Sequence, residues 1–234
     1  MEDNHIYQYS FVNALMAGVS DSGISVEKLL SKGNQGIGTF TRMRGELLMI
    51  DGKIYQLLGE GKTREPDEID QIPYAVGTKF VPQKTSNVRL ESKESVGQLL
   101  KQFEFYSENA FMNYRFDGRF ESIKCRTVKG QEYEGQPLAE VGKNQQVQTY
   151  HDIEGTIVGF QSPEIWQGFF VAGNHMHFVS KDRKDGGHVL ELSDGEGKLG
   201  VAKAVNIHME LPTSRAFNDA KLSIDDIGIK AVEG

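Results

Sequence analysis

Of the six histidines in this 234-residue chain, His175, His177 and His188 fall together in one short stretch. It reads Gly173-Asn174-His175-Met176-His177-Phe178-Val179, then a charged loop, then Gly186-Gly187-His188-Val189-Leu190. Apolar runs on either side of a polar loop are the pattern of a hairpin. Side chains two apart on a strand leave the same face, so His175 and His177 project together. If the chain reverses over residues 181–184, His177 falls opposite His188, and opposed residues on one face lie within about 5.5 Å at Cβ. One divalent ion can then be reached by all three imidazoles. A three-histidine set without cysteine leaves coordination positions open, the arrangement of a catalytic rather than a closed structural site.

The rest of the chain must carry that hairpin. With 38% hydrophobic residues and 13 Phe, it can build a sizeable core in one large domain or two small ones. Residues 6–11 alternate weakly, as an N-terminal strand does. Residues 25–30 read as a short helix, capped by Ser25 and stopped at Gly33. Glu46-Leu47-Leu48-Met49-Ile50, Asp51-Gly52 and Lys53-Ile54-Tyr55-Gln56-Leu57-Leu58 form a hairpin pattern, since a type I′ turn needs φ > 0 at both central residues. Residues 59–71 read as a charged loop and 73–80 as another strand. Val96, Leu99, Leu100 and Phe103 have helical spacing within residues 92–105. The same dipeptide logic makes 111–116, Asp117-Gly118 and 119–126 a second hairpin. Residues 157–160 and 168–172 precede the histidine hairpin, and 201–211 follow it as a further strand. Many strands and few helices predict an α+β fold of mixed and antiparallel sheets. The polar stretch 128–148 is the natural crossing, giving a lobe of residues 1–140 and a β-rich lobe of residues 141–234 with the metal site at their interface.

Composition narrows the function classes. The net charge is −7, and there is no long basic run or aromatic-basic face, so nucleic acid is not expected as a partner. No apolar run approaches the length of a membrane span. The start, Met1-Glu2-Asp3-Asn4-His5, lacks the basic and apolar regions of a signal peptide, so a cytoplasmic location is expected. The single cysteine, Cys125, rules out an internal disulfide framework. Between Lys124 and Arg126 it could carry a lowered pKa, but a lone cysteine in a strand pattern reads first as a small buried hydrophobe. Asp182 and Asp185 read as residues of a solvated turn, and His5, His151 and His208 receive no role.

Further segments extend the pattern around the histidines. Gly155-Thr156-Ile157-Val158-Gly159-Phe160, His175-Met176-His177-Phe178, Asp182-Arg183 and Gly186-Gly187-His188-Val189-Leu190 together resemble the alpha-acetolactate decarboxylase family. So do Ile6-Tyr7-Gln8-Tyr9-Ser10, Gly38-Thr39-Phe40, Gly45-Glu46, Asp51-Gly52 with Tyr55-Gln56, and Phe116-Asp117-Gly118 with Cys125-Arg126-Thr127-Val128. The resemblance runs in order over nearly the whole chain, and the histidine block is its specific part. It implies zinc held by His175, His177 and His188. It implies two glutamates near the metal, matched by Glu46 and by Glu233 near the C-terminus. Arg126 matches the family's active-site arginine and Thr39 its threonine near the site. The chain departs from the family in having Arg44 before Gly45-Glu46, where an aspartate is usual.

The implied substrate is 2-acetolactate and the implied products are acetoin and carbon dioxide, formed through a metal-stabilised enediolate. Arg126 would pair with the substrate carboxylate through a planar two-donor fork. Glu46 is the candidate proton donor. No phosphate-binding loop or dinucleotide fingerprint is present. The resemblance also implies a homodimer. Two other readings remain at this level. One is a cupin-like metal-dependent dioxygenase or isomerase, which would usually carry a glutamate three or four residues after His177, where Ser180 and Lys181 stand. The other is a non-catalytic, metal-stabilised ligand-binding domain.

Overall fold

Residues 2–59, 62–223 and 228–230 are described by the computed structural model of the chain. The elements in order are β1 (Ile6–Tyr9), α1 (Val12–Met16), β2 (Ile24–Ser25), α2 (Val26–Leu30), β3 (Gln35–Thr39), β4 (Glu46–Ile50), β5 (Lys53–Gly59), β6 (Lys62–Arg64), β7 (Gln71–Ile72), β8 (Tyr74–Thr78) and β9 (Lys84–Ser92). They continue as α3 (Lys93–Leu100), β10 (Phe111–Thr127), α4 (Leu138–Val141), β11 (Gln146–Ser162), β12 (Gly173–Ser180), β13 (Gly186–Ala204), β14 (Ile207–Glu210) and α5 (Arg215–Asp219). Strands dominate over short helices, as expected for an α+β chain. Among the described residues no helix is long and apolar enough to cross a membrane.

The first sheet has seven strands in the order β14-β1-β8-β3-β4-β5-β6. The second runs β10-β11-β12-β13-β9, and β10 also pairs with β13, so its long strands close on themselves. Strand alternation sorts the apolar residues into three layers. Leu48 and Ile50 of β4 meet Val158, Phe160 and Val179 of the second sheet in a shared core. Tyr114, Phe116, Phe120, Met176, Phe178 and Val189 fill the interior of the closed sheet. Leu47, Met49 and Ile54 lie under Leu29 of α2 on the far side of the first sheet. Glu46 is on the Leu48 face of β4, and His175 and His177 are on the Val179 face of β12. Both therefore point into the layer between the sheets.

Local signals account for several elements. Ser25 caps α2, its side chain accepting from the Lys28 N–H at 3.1 Å. The Asp51-Gly52 turn has φ of 52° and 72°, as a type I′ turn requires. Asp117-Gly118 behaves otherwise, and the second hairpin is not formed. Both residues lie inside the continuous 17-residue strand β10. Gly118 faces Gly155 on β11 and Gly197 on β13, and a Cβ there would sit 2.4 Å from the Glu196 carbonyl oxygen and 2.6 Å from the Phe116 ring. Its role is close approach of strands in a tightly coiled sheet rather than reversal of the chain.

Sheet membership does not follow the expected lobes of residues 1–140 and 141–234. β9 and β10 lie in the sheet of the histidine hairpin, and β14 returns to the first sheet beside β1. Arg126, expected from the first lobe, therefore stands in the same sheet as the histidines, directly opposite His188.

Candidate active site

The histidine hairpin forms with the expected register, His177 opposite His188. Its two glycines are set by strand proximity. A Cβ on Gly186 would lie 2.2 Å from the Phe178 carbonyl oxygen, and one on Gly187 would lie 2.4 Å from that of Arg126. Only bare backbone lets β13 pass so close to β12 and β10 while presenting His188.

The three imidazoles are buried, with relative exposures of 6%, 1% and 0% for His175, His177 and His188. Their ring centroids are 5.1–5.5 Å apart, and one ligand atom from each can be chosen so that all lie within 4.8 Å of one another. His177 Nδ1 is 2.8 Å from the Leu47 carbonyl oxygen of β4. A donated Nδ1–H fixes the ring and leaves Nε2 as the ligand nitrogen, the usual outer support of a metal-bound histidine. The first sheet thus orients a candidate ligand carried by the second.

Electrostatics keep His175 and His188 in their ligating form. Burial pushes the His175 pKa down to about 3, with help from the positive charges of Arg126 and Lys93. Burial does the same to His188, aided by Arg126, the two neighbouring histidines and Lys93. Neutral, buried, convergent nitrogens fit a divalent ion, since a metal binds imidazole only in its unprotonated state.

The other candidates divide between the sheets. Glu46, 6% exposed at the start of β4, lies 3.7 Å from His177 Nε2 and 3.9 Å from Arg126 Nη1. Arg126, 2% exposed, reaches the site from the end of β10. Thr39 pairs with Glu46 across β3 and β4, and its hydroxyl donates to the Gly45 carbonyl at 2.8 Å. Arg44 is exposed, so its charge stands outside the cluster. Glu233 lies outside the described residues.

A narrow cavity joins Thr39, Glu46, Arg126, His175 and His177 to an apolar wall of Leu15, Met43, Tyr74, Val128 and Leu138. Spacing gave no warning of that wall, because its members come from α1, β8, α4 and loops distant in sequence. Lys93 was missed too. It begins a helix with the ordinary look of a solvated residue, yet its charge reaches His175 and His188. Cys125 is buried, and burial pushes its thiol pKa up, so the flanking cations do not activate it.

A buried three-imidazole cluster beside a carboxylate and a guanidinium can bind an anionic, oxygen-rich small molecule and move a proton on it. Comparison with known proteins gives this geometry a context. The profile of the alpha-acetolactate decarboxylase family matches residues 6–224. Alpha-acetolactate decarboxylase of Bacillus licheniformis is 33% identical over 99% of this chain and 92% of its own length. The Raoultella terrigena protein of the same name is 35% identical over 99% of this chain and 90% of its own. Among solved structures, alpha-acetolactate decarboxylase from Bacillus subtilis superposes with a TM-score of 0.92 at 30% identity, covering 98% of this chain and 99% of that one. A Staphylococcus aureus protein described as similar to alpha-acetolactate decarboxylase gives the same TM-score at 30% identity, covering 98% and 100%. In sequence and in fold, over nearly its whole length, this chain belongs to the alpha-acetolactate decarboxylase family.

Proposed function

We propose that this protein decarboxylates 2-acetolactate to acetoin and carbon dioxide, with a zinc ion held by His175, His177 and His188. The observation that carries the reading is a cluster of three buried imidazoles with Glu46 3.7 Å from His177 and 3.9 Å from Arg126, in a chain whose relatives bear the decarboxylase name. When bound, the divalent ion supplies Lewis acidity that stabilises negative charge developing on the substrate as the carboxylate departs.

The chain's own groups do the rest. The Arg126 guanidinium orients the substrate carboxylate through paired N–H donors. Because that carboxylate leaves as neutral carbon dioxide, orientation serves catalysis better than tight ground-state binding. The C1–C2 bond breaks, and its electron pair is drawn toward the neighbouring carbonyl. The Glu46 carboxyl then delivers a proton to the carbon that lost carbon dioxide. Leu15, Met43, Val128 and Leu138 keep bulk water from that carbon. Thr39 holds the backbone that leads into Glu46. Glu233 is the match for the family's second glutamate and completes the proposed set. A cytoplasmic homodimer acting on a small-molecule substrate is part of the same proposal.

The test is acetoin formation from freshly prepared racemic 2-acetolactate, with and without a chelator and with zinc added back. Acceleration over the spontaneous reaction, lost with chelator and restored by zinc, is expected. His175→Ala loses both bound metal and turnover. A folded, zinc-loaded protein that gives no acceleration overturns the reading and returns attention to cupin-like oxygen chemistry or ligand binding.

A further inference from the structure

Glu46 and Arg126 come from different sheets, and no backbone ladder joins β4 to β10. Something else must hold their separation at 3.9 Å. The turn that delivers Glu46, residues 41–45, is strained. Arg42 and Met43 both have left-handed backbone, with φ of 59° and 55°, and neither is glycine. Such conformations persist where surrounding contacts over-determine them, and they gather at functional sites. Met43 is also part of the cavity wall.

The contacts that hold this turn lead to one side chain. Arg42 N–H donates to the Ser20 carbonyl at 2.7 Å, and Gln131 N–H donates to the Arg42 carbonyl at 2.7 Å. The Gln131 amide is buried, at 8% exposure, and all its polar atoms are used. Its oxygen accepts from the Ser20 hydroxyl at 2.7 Å, and its NH₂ donates to the carbonyls of Gly18 and Gln136, both at 2.8 Å. Gln131 therefore locks the segment bearing Ser20 to the segment that continues from Arg126. Between the turn and the segment that continues from Arg126, the Gly45 N–H donates to the Val128 carbonyl at 2.9 Å. That bond lies one residue from Glu46 and two from Arg126.

We propose that Gln131 is a positioning residue for the reaction: its buried amide fixes the strained 41–45 turn against residues 128–131 and so sets the Glu46 carboxyl against the Arg126 guanidinium. The inference rests on the proposed decarboxylation for its kinetic readout. It identifies a residue that touches neither metal nor substrate and acts through the backbone. Arg126 orients the substrate carboxylate more than it tightens ground-state binding, so loosening this lock should lower kcat and leave KM nearly unchanged.

The experiment compares the parent enzyme, Gln131→Met, Arg42→Gly and the double variant. Methionine keeps the length of glutamine and removes its side-chain hydrogen bonds, leaving the backbone N–H bond to the Arg42 carbonyl in place. Gln131→Met is expected to lower kcat by about 10- to 100-fold, the scale of a misplacement near 1 Å, with KM within about twofold. Zinc content stays at the parental value. Arg42→Gly has near-parental activity alone, and in the double variant it recovers part of the lost kcat, because glycine adopts left-handed backbone without strain. If Gln131→Met does not fold, Ser20→Ala removes one bond of the lock and carries the same expectation at smaller scale. Parental kcat in Gln131→Met overturns the proposal. So does a loss that follows zinc content or melting temperature and is not relieved by Arg42→Gly. A parent enzyme without acetoin formation rejects the reaction instead. The lock is then judged by the crystal structure of Gln131→Met: an intact Gly45–Val128 bond and an unchanged Glu46–Arg126 distance overturn it, and a widened gap supports it.

Discussion

Gly187→Ala tests most directly whether strand spacing sets the proposed metal site. A Cβ at residue 187 would lie 2.4 Å from the Arg126 carbonyl oxygen and 3.1 Å from Thr127 Cγ2, on backbone with φ of +154°. Real Cβ contacts essentially never fall under 3.0 Å, so β13 must draw away from β10 by at least 3.0 − 2.4 = 0.6 Å. The next residue is His188, paired with Arg126 on one side and His177 on the other, so this movement falls first on one of the three proposed ligands. Overpacking costs about 1–3 kcal/mol. Strained left-handed backbone adds about 1 kcal/mol. For a chain of this size the sum corresponds to a Tm lower by roughly 5–15 °C. Misplacement approaching 1 Å costs about 100-fold in rate, so kcat/KM should fall by at least about tenfold. Gly52→Ala is the control. Its φ is +72°, and nothing lies within 4 Å of the added methyl. It should cost about 1 kcal/mol and leave acetoin formation unchanged. Initial rates, zinc content and thermal melts of the two variants are compared with the parent. Parental kcat/KM in Gly187→Ala, or equal losses in both variants, would refute the argument from strand spacing.

Arg126→Lys should retain zinc and lose about 10- to 100-fold in kcat/KM, because lysine presents a point charge where the guanidinium presents a fork; full activity in a zinc-loaded variant removes the carboxylate-orienting role. The zinc-free protein should lose stability on mild acidification. His175 has its pKa lowered from 6.5 to about 3, and that of His188 is lowered in the same direction. Below pH 6.5 the unfolded chain takes up protons that the folded chain does not, so stability falls with pH, His175 alone contributing a slope that approaches 1.4 kcal/mol per unit. Urea midpoints between pH 6.5 and 5, above the usual carboxylate range, should show this slope, and His175→Leu should reduce it; a flat profile contradicts the buried neutral state. Cys125 should ignore a thiol reagent in the native protein and react on denaturation, since burial raises its pKa; fast native labelling would place it outside the core.

The histidine site was legible because the two-residue period of a strand is local and a charged loop fixed the hairpin register. Asp51-Gly52 was legible for the same reason, since its backbone needs concern only four neighbouring residues. Asp117-Gly118 is the same dipeptide with the opposite outcome. What decides it is the Phe116 ring and the Glu196 carbonyl, and the latter arrives from far along the chain. β9 was not read as a strand at all. Its residues are mostly exposed, so the usual apolar alternation is weak, and pairing with β13 creates it. The nearness of Glu46 to Arg126 is a matter of how two sheets stack, which no spacing expresses. Only the family resemblance put those residues together in advance. Glu233, matched in the same way, lies outside the described residues.

The position of β1 has a consequence for synthesis. This strand lies between β8, antiparallel, and β14, parallel, and its Tyr7 hydroxyl donates to Glu210, 203 residues away in sequence. At about 5–20 residues per second, a ribosome needs roughly 10–40 s to make β14 after β1 has left it. Throughout that interval Ile6-Tyr7-Gln8-Tyr9 presents an open edge with no charge and no proline, the type of edge that recruits foreign strands. β14 ends the exposure and brings Glu210 to Tyr7 and Lys28 at once. Nascent chains stalled before residue 207 should therefore be the aggregation-prone species, and the late strand acts as an intramolecular cap on the early one.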